Sequence, residues 1–274
     1  YAYSGNSVYA TLDVASTDQT STSGYESSST GISLGTEFQQ YENIYISPGF
    51  NAAYEDVEVQ QSASKAVQDM QGNFTNMDFI YAITVDKRDQ PFQSTDGYRA
   101  KFRQSLPIVS ETYSVVNGYE FVTYHELSDG MVGTFNFYSQ AVNSFSGENV
   151  RISERLYMPS SKLRGFVRGK IGPVDNNDYV GGNYTAAITA EAQLPNLLPE
   201  SYRTDFSFFL DSANIWGIDY SSAVEDTNSV RASVGLSANI FTTIGPLSFT
   251  VAQDIAKSTN DETETFNFRL GTTF

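Results

Sequence analysis

Residues 230–240 read VRASVGLSANI. Every even position is apolar (Val230, Ala232, Val234, Leu236, Ala238, Ile240), and the odd ones are Arg231, Ser233, Gly235, Ser237 and Asn239. Successive side chains of a strand point to opposite faces, so this run is extended, with one apolar face and one wet face. A helix would scatter the same residues around its axis.

The same split recurs outward from that stretch. Val8, Ala10, Leu12 and Val14 alternate with Tyr9, Thr11 and Asp13; Tyr98, Ala100 and Phe102 alternate with Arg99, Lys101 and Arg103. At the end of the chain Phe266, Phe268, Leu270 and Phe274 share a face, with Thr272 interrupting, against Asn267, Arg269, Gly271 and Thr273. About twelve such runs occur, near 6–16, 30–39, 43–55, 75–87, 97–106, 113–126, 131–143, 184–193, 203–216, 229–242, 246–256 and 264–274. Short connections (40–42, 93–97, 127–130, 243–245) alternate with long ones (17–29, 56–74, 144–183, 217–228, 257–263), and residues 62–70 read as a short helix within a long one. Short turns on one rim and long loops on the other predict an all-β fold: a transmembrane antiparallel β-barrel domain over 1–274, with long extracellular loops and short periplasmic turns.

Composition narrows the function classes. The 274 residues carry a formal charge of -16, with no cysteine and one histidine. A pI near 4.3 and the lack of any Lys/Arg-rich run argue against a nucleic-acid partner, because phosphate binding needs a basic surface. Disulfides and thiolate metal sites are excluded, and His125 alone cannot build a multi-histidine site. It reads as an ordinary residue at a strand end. No stretch approaches the ~18 apolar residues of a membrane helix, a condition that leaves a strand-built membrane protein open. A soluble sandwich or barrel would alternate too. Aromatics near strand ends (Tyr113, Tyr202, Trp216, Tyr220, Phe274) and the wet face of Arg99, Lys101 and Arg103 favour interfacial girdles around a watery lumen.

The longest connection holds SSKLRGFVRGKIGPVDNNDYVGGN, residues 160–183. It can be read as a surface excursion. Leu163-Arg164-Gly165-Phe166, Ile171-Gly172-Pro173 and Gly181-Gly182-Asn183, however, together resemble the sixth extracellular loop of BamA-type outer-membrane assembly factors, the POTRA/β-barrel insertase superfamily or bacterial surface antigen barrels. The resemblance continues in DKRDQPF (86–92) with Thr95-Asp96-Gly97, in Phe209-Leu210-Asp211 through Trp216, in Gly245-Pro246-Leu247 with Phe249, and in the terminal FNFRLGTTF. The order and spacing of these segments, which run almost end to end, carry more weight than any one of them.

The resemblance implies that the Arg-Gly-Phe tip of loop 144–183 folds back into the lumen. A guanidinium placed there loses hydration and needs carboxylates, preferably in bidentate geometry. Parity supplies two candidates: Glu191 shares a face with Thr185, Ala187 and Thr189, and Asp211 shares one with Ser207 and Phe209. By themselves both acids could simply line a solvated lumen. The family pairs its loop arginine with acids at these positions, so Arg164 is expected to meet Glu191 and Asp211. Gly165 would allow positive φ or a close backbone approach, and Phe166 would plug the space beside the ion pair.

The resemblance also implies a function. In the family a seam at the C-terminal strand opens toward the bilayer and a nascent barrel protein pairs there, gaining hydrogen bonds by strand augmentation. Phe266, Phe268, Leu270, Gly271 and Phe274 would form that strand and its terminal assembly signal, with Gly271 marking a kink or weak pairing. The implied role is insertion of other β-barrel proteins, in a bacterial outer membrane. The implied partners are outer-membrane lipid, nascent barrel proteins, and assembly-complex lipoproteins bound through POTRA domains that this chain does not contain. No enzyme, cofactor or metal is expected. Family barrels have sixteen strands, so twelve read as a C-terminal portion, or as a smaller barrel if 6–16 pairs with 264–274. A two-partner-secretion type of polypeptide transporter and a plain porin or adhesin remain alternatives.

Overall fold

The computed structural model describes residues 2–3, 6–195, 204–220, 224–226, 228–242 and 245–270. Twelve long strands form one antiparallel sheet: β1 (Asn6–Gln19), β2 (Tyr25–Tyr41), β3 (Ile44–Val59), β4 (Gly72–Asp86), β5 (Gly97–Val109), β6 (Ser114–Ser128), β7 (Met131–Ser144), β8 (Tyr184–Gln193), β9 (Thr204–Trp216), β10 (Arg231–Thr242), β11 (Gly245–Ala256) and β12 (Phe266–Leu270). Each strand pairs with its neighbour in chain order, and the two-residue strand Ala2–Tyr3 folds back onto the start of β1. Among the described residues no pairing joins β1 to β12.

Burial is inverted relative to a soluble fold. Leu12, Val14, Leu236 and Leu270 are exposed, whereas Ser207, Asp211, Ser233, Ser237 and Thr250 on the opposite face are buried. This is the parity read from 230–240, with the apolar side turned outward as hydrocarbon requires and the polar side covered from within.

Two long connections are shorter than the alternation implied. The β1–β2 ladder runs on to Gln19↔Tyr25, and the β3–β4 ladder to Val57↔Gly72. The segment YESSSTG (25–31) is polar on both faces, so it loses the period-two signal although its backbone pairing continues. The helix read over 62–70 is one turn, Lys65–Gln68, whose N-cap Ser64 side chain accepts from the Val67 N–H.

The inner face is filled unevenly. Beside β1 to β5 lies a cavity of about 740 Å³ lined in part by Asp13, Glu37, Asp86, Arg99, Lys101 and Arg103, which gives the basic side chains of β5 the polar space their parity required. Beside β7 to β10 the face is covered by residues 145–183. Met158, Leu163, Phe166 and Ile171 from that connection pack on Tyr138, Ala187, Ala213 and Ile215 of the strands.

Candidate functional site

The connection 145–183 is anchored at both ends before its tip reaches inward. Arg155 is buried, pairs with Asp219 of the β9–β10 connection, and donates to Asn183 Oδ1 at 2.9 Å and the Val150 carbonyl at 3.0 Å. A small hairpin, Val174–Asp175 with Asp178–Tyr179, meets the other loops: Ser64 Oγ donates to Asp175 at 2.5 Å, Tyr220 Oη to the same carboxylate at 3.0 Å, and the Tyr179 N–H to the Thr22 carbonyl at 2.8 Å. Tyr25, Val57, Val67, Ile152, Val180 and Tyr220 close an apolar canopy above the sheet. The long-loop rim is thus roofed by contacts among separate connections.

Below this roof the tip sits on β8 to β11. The Arg164 Nε donates to Asp211 Oδ2 at 2.8 Å and its Nη2 to Asp211 Oδ1 at 2.9 Å, a two-pronged pair with a carboxylate that is 0% exposed. Nη1 donates to Glu191 Oε2 at 2.8 Å. The Arg164 backbone N–H also donates to Asp211, at 3.0 Å, and Ser233 Oγ donates to the Arg164 carbonyl. Below the guanidinium lies Phe209, with Arg164 Cζ 3.5 Å from its ring centre. The cation is therefore held from two sides by charge and from a third by an aromatic face.

Register explains how two acids reach one cation. Glu191 is opposite Phe209 in the β8–β9 ladder, and Asp211 is opposite Thr189. The carboxylates are thus diagonal, two residues offset along the strands, and Phe209 stands opposite Glu191 and two residues before Asp211. Such diagonal pairs lie ~7–8 Å apart, within the span of a guanidinium that points along the diagonal.

Gly165 follows with φ +87, and a Cβ there would meet the Ala252 Cβ at 2.9 Å. Both conformation and space exclude a side chain. Beyond it the tip behaves as a short added strand against the residues that enter β12: Glu264 N–H donates to the Gly165 carbonyl, Phe166 bridges Thr263, and Val167 N–H donates to the Glu262 carbonyl. Phe166 is buried in the inner cluster. Of the C-terminal strand residues, Phe266, Phe268 and Leu270 project from the outer face at 58%, 49% and 60% exposure; Gly271 and Phe274 lie outside the described residues.

Three parts of this arrangement are not legible in the sequence: the support that inner-face Phe209 gives the cation, the room that Gly235 makes for the Phe209 ring, and the buried pair of Arg231 with Asp261. Arg231 left a signal, since an inward arginine at the top of a strand needs a partner. The acid that meets it comes from a loop with no recognisable motif.

Residues 2–274 match the Omp85 superfamily domain. The chain is 24% identical over 262 residues to the outer membrane protein assembly factor BamA of Neorickettsia risticii, covering 91% of this chain and 34% of that protein. It is 31% identical over 139 residues to the same-named factor of Neisseria meningitidis, covering 41% and 17%. It thus spans about a third or less of the length of these relatives. Among solved structures, BamA from Haemophilus ducreyi lacking POTRA domains 1-3 superposes with a TM-score of 0.86 at 23% identity, over 98% of this chain and 59% of that one. CdiB from Acinetobacter baumannii gives 0.58 at 9% identity, over 89% and 42%.

Proposed function

The chain belongs to the Omp85 superfamily, as the C-terminal barrel portion of a BamA-type integral outer-membrane protein, and from that premise we propose that the intact protein assembles and inserts other β-barrel proteins. The observation that carries this reading is the docking of the Arg164 tip on β8 to β11, with its backbone hydrogen-bonded to the residues entering β12. Nascent barrel strands would pair along the edge of β12, where backbone N–H and C=O groups supply hydrogen bonds while the apolar side of the entering strand faces lipid. Phe266, Phe268 and Leu270 already turn that side outward, and Gly271 and Phe274 complete the terminal signal.

In this reading Arg164, Glu191, Asp211 and Phe166 stabilise the working barrel and perform no bond chemistry. The process consumes no nucleotide and uses no cofactor, because the free energy comes from hydrogen bonds and apolar burial gained by the client. Nascent barrel proteins and outer-membrane lipid are the partners, joined by assembly-complex lipoproteins where POTRA domains are present. The test is folding of an added barrel client into proteoliposomes containing the intact protein. Faster folding than into empty liposomes supports insertion; passage of a polypeptide into the vesicle interior, with no client inserted, would replace it with the secretion reading.

A further inference from the structure

The side chains of Arg231 and Asp261 are each 1% exposed and lie outside the Arg164 site. Arg231 Nε and Nη2 donate to the two Asp261 oxygens at 2.9 and 3.0 Å. Its Nη1 donates to Asn214 Oδ1 at 2.8 Å and the Ser229 carbonyl at 2.7 Å, and Asp261 also accepts the Ser258 N–H at 2.6 Å. Every nitrogen of the guanidinium is engaged. A buried pair so saturated resists parting, because separation would leave two desolvated charges without partners.

Its position gives the pair a use. Arg231 is the first residue of β10, and Asp261 stands five residues before Phe266, where β12 begins. The four residues between them are tied in turn: Glu262, Thr263 and Glu264 by the backbone of the Arg164 tip, and Thr265, whose carbonyl accepts the Ala252 N–H at 2.8 Å. Beyond Phe266 the only strand pairing among the described residues is the β11 ladder, five partners from Val251↔Phe266 to Leu247↔Leu270. The entry to β12 is clamped by side-chain charge and by backbone, and its described length from Phe266 to Leu270 is held by the β11 ladder.

Resting on the insertion reading above, we infer that Arg231–Asp261 is a positioning pair: it holds the entry to the C-terminal strand stationary and confines the strand's movement during client pairing to the part beyond Phe266. The pair acts through the strand and touches no client.

Two arms test this in the intact protein, prepared cysteine-free and reconstituted in liposomes. Each double variant is compared with itself, reduced and oxidised: closing the disulfide of Val251→Cys with Phe266→Cys should change that variant's client folding rate by less than about twofold, whereas closing that of Leu247→Cys with Leu270→Cys should slow its own rate by at least about tenfold. In the second arm Asp261→Asn should raise amide exchange over 263–266 by about tenfold or more and leave Arg164 protected, with Asp261→Glu recovering part of the protection. The inference is overturned if the two disulfides slow the client equally, or if exchange over 263–266 is unchanged in the Asn variant. If the unlocked protein accelerates no client, insertion itself fails, and the exchange arm, which needs no client, still decides whether the pair fixes the strand entry.

Discussion

Gly235 stands opposite Phe209 in the β9–β10 ladder, and a Cβ built on it would lie 2.7 Å from the Phe209 ring and 2.2 Å from the Val251 carbonyl. The ring that supports the Arg164 guanidinium therefore owes its place to a missing side chain on the next strand. The Gly235→Ala variant is expected to lose about 1–3 kcal/mol through overpacking, read as a lower unfolding midpoint in urea of the liposome-embedded barrel. A midpoint equal to wild type would show that the ring and the β10–β11 backbone yield without cost.

Removal of the cation should cost more. Arg164→Ala leaves the fully buried Asp211 carboxylate and Glu191 without their shared cation, with only the backbone N–H at 164 still donating to Asp211, a loss of up to about 3–5 kcal/mol, reduced by whatever water enters the lumen. Arg164→Lys restores charge but not the two-pronged fork, and should recover only part of that loss. Comparison of heat-modifiability for the two variants checks the order: Ala and Lys indistinguishable from wild type would reduce the loop to decoration of the rim.

Gly165→Ala is predicted to be disproportionately harmful for a single methyl group. It combines a φ of +87 with a contact of 2.9 Å to Ala252, so the strained backbone has no free space to relax into. A loss above about 1 kcal/mol in the same unfolding assay is the expected result, and Gly165→Asn, which tolerates positive φ better but still clashes, separates strain from space.

Docking of the roof should depend on acid pH. Burial alone would raise the Asp219 carboxyl, but the Val150 N–H and the Arg155 guanidinium outweigh it and hold it below its ordinary value of 3.8. With the folded value depressed, its contribution is full above the ordinary carboxylate range and is lost as pH falls through the folded value. Limited proteolysis of residues 145–183 should therefore accelerate below about pH 4, and Asp219→Asn should be more readily cut at neutral pH with a flatter acid response. An acid response of the variant as steep as that of wild type would assign the pH dependence to other groups.

The sheet was legible because β10 and its like obey a strict period of two, and that period is set by which face meets hydrocarbon. Where both faces are wet, as over residues 25–31, the sequence carries no such record and the ladder had to be seen. The inward orientation of Glu191 and Asp211 follows from the same parity. Their meeting with Arg164 spans sequence separations of 27 and 47, which parity does not address and only the family's loop motif suggests. Arg231 and Asp261 had no motif, so nothing in the linear order distinguished that acid from its neighbours.

The outward turn of Leu12, Leu210 and Leu236 makes each strand intolerant of a change in length. One residue inserted into β9 between Phe206 and Leu210 would rotate the rest of the strand by half a turn, send the Asp211 carboxylate toward acyl chains and bring Leu210 under the guanidinium. Hydrocarbon-facing substitutions from one aliphatic residue to another should accumulate freely by comparison. Natural variation in such a barrel is thus expected to appear as exchanges within strands and as insertions in the roof.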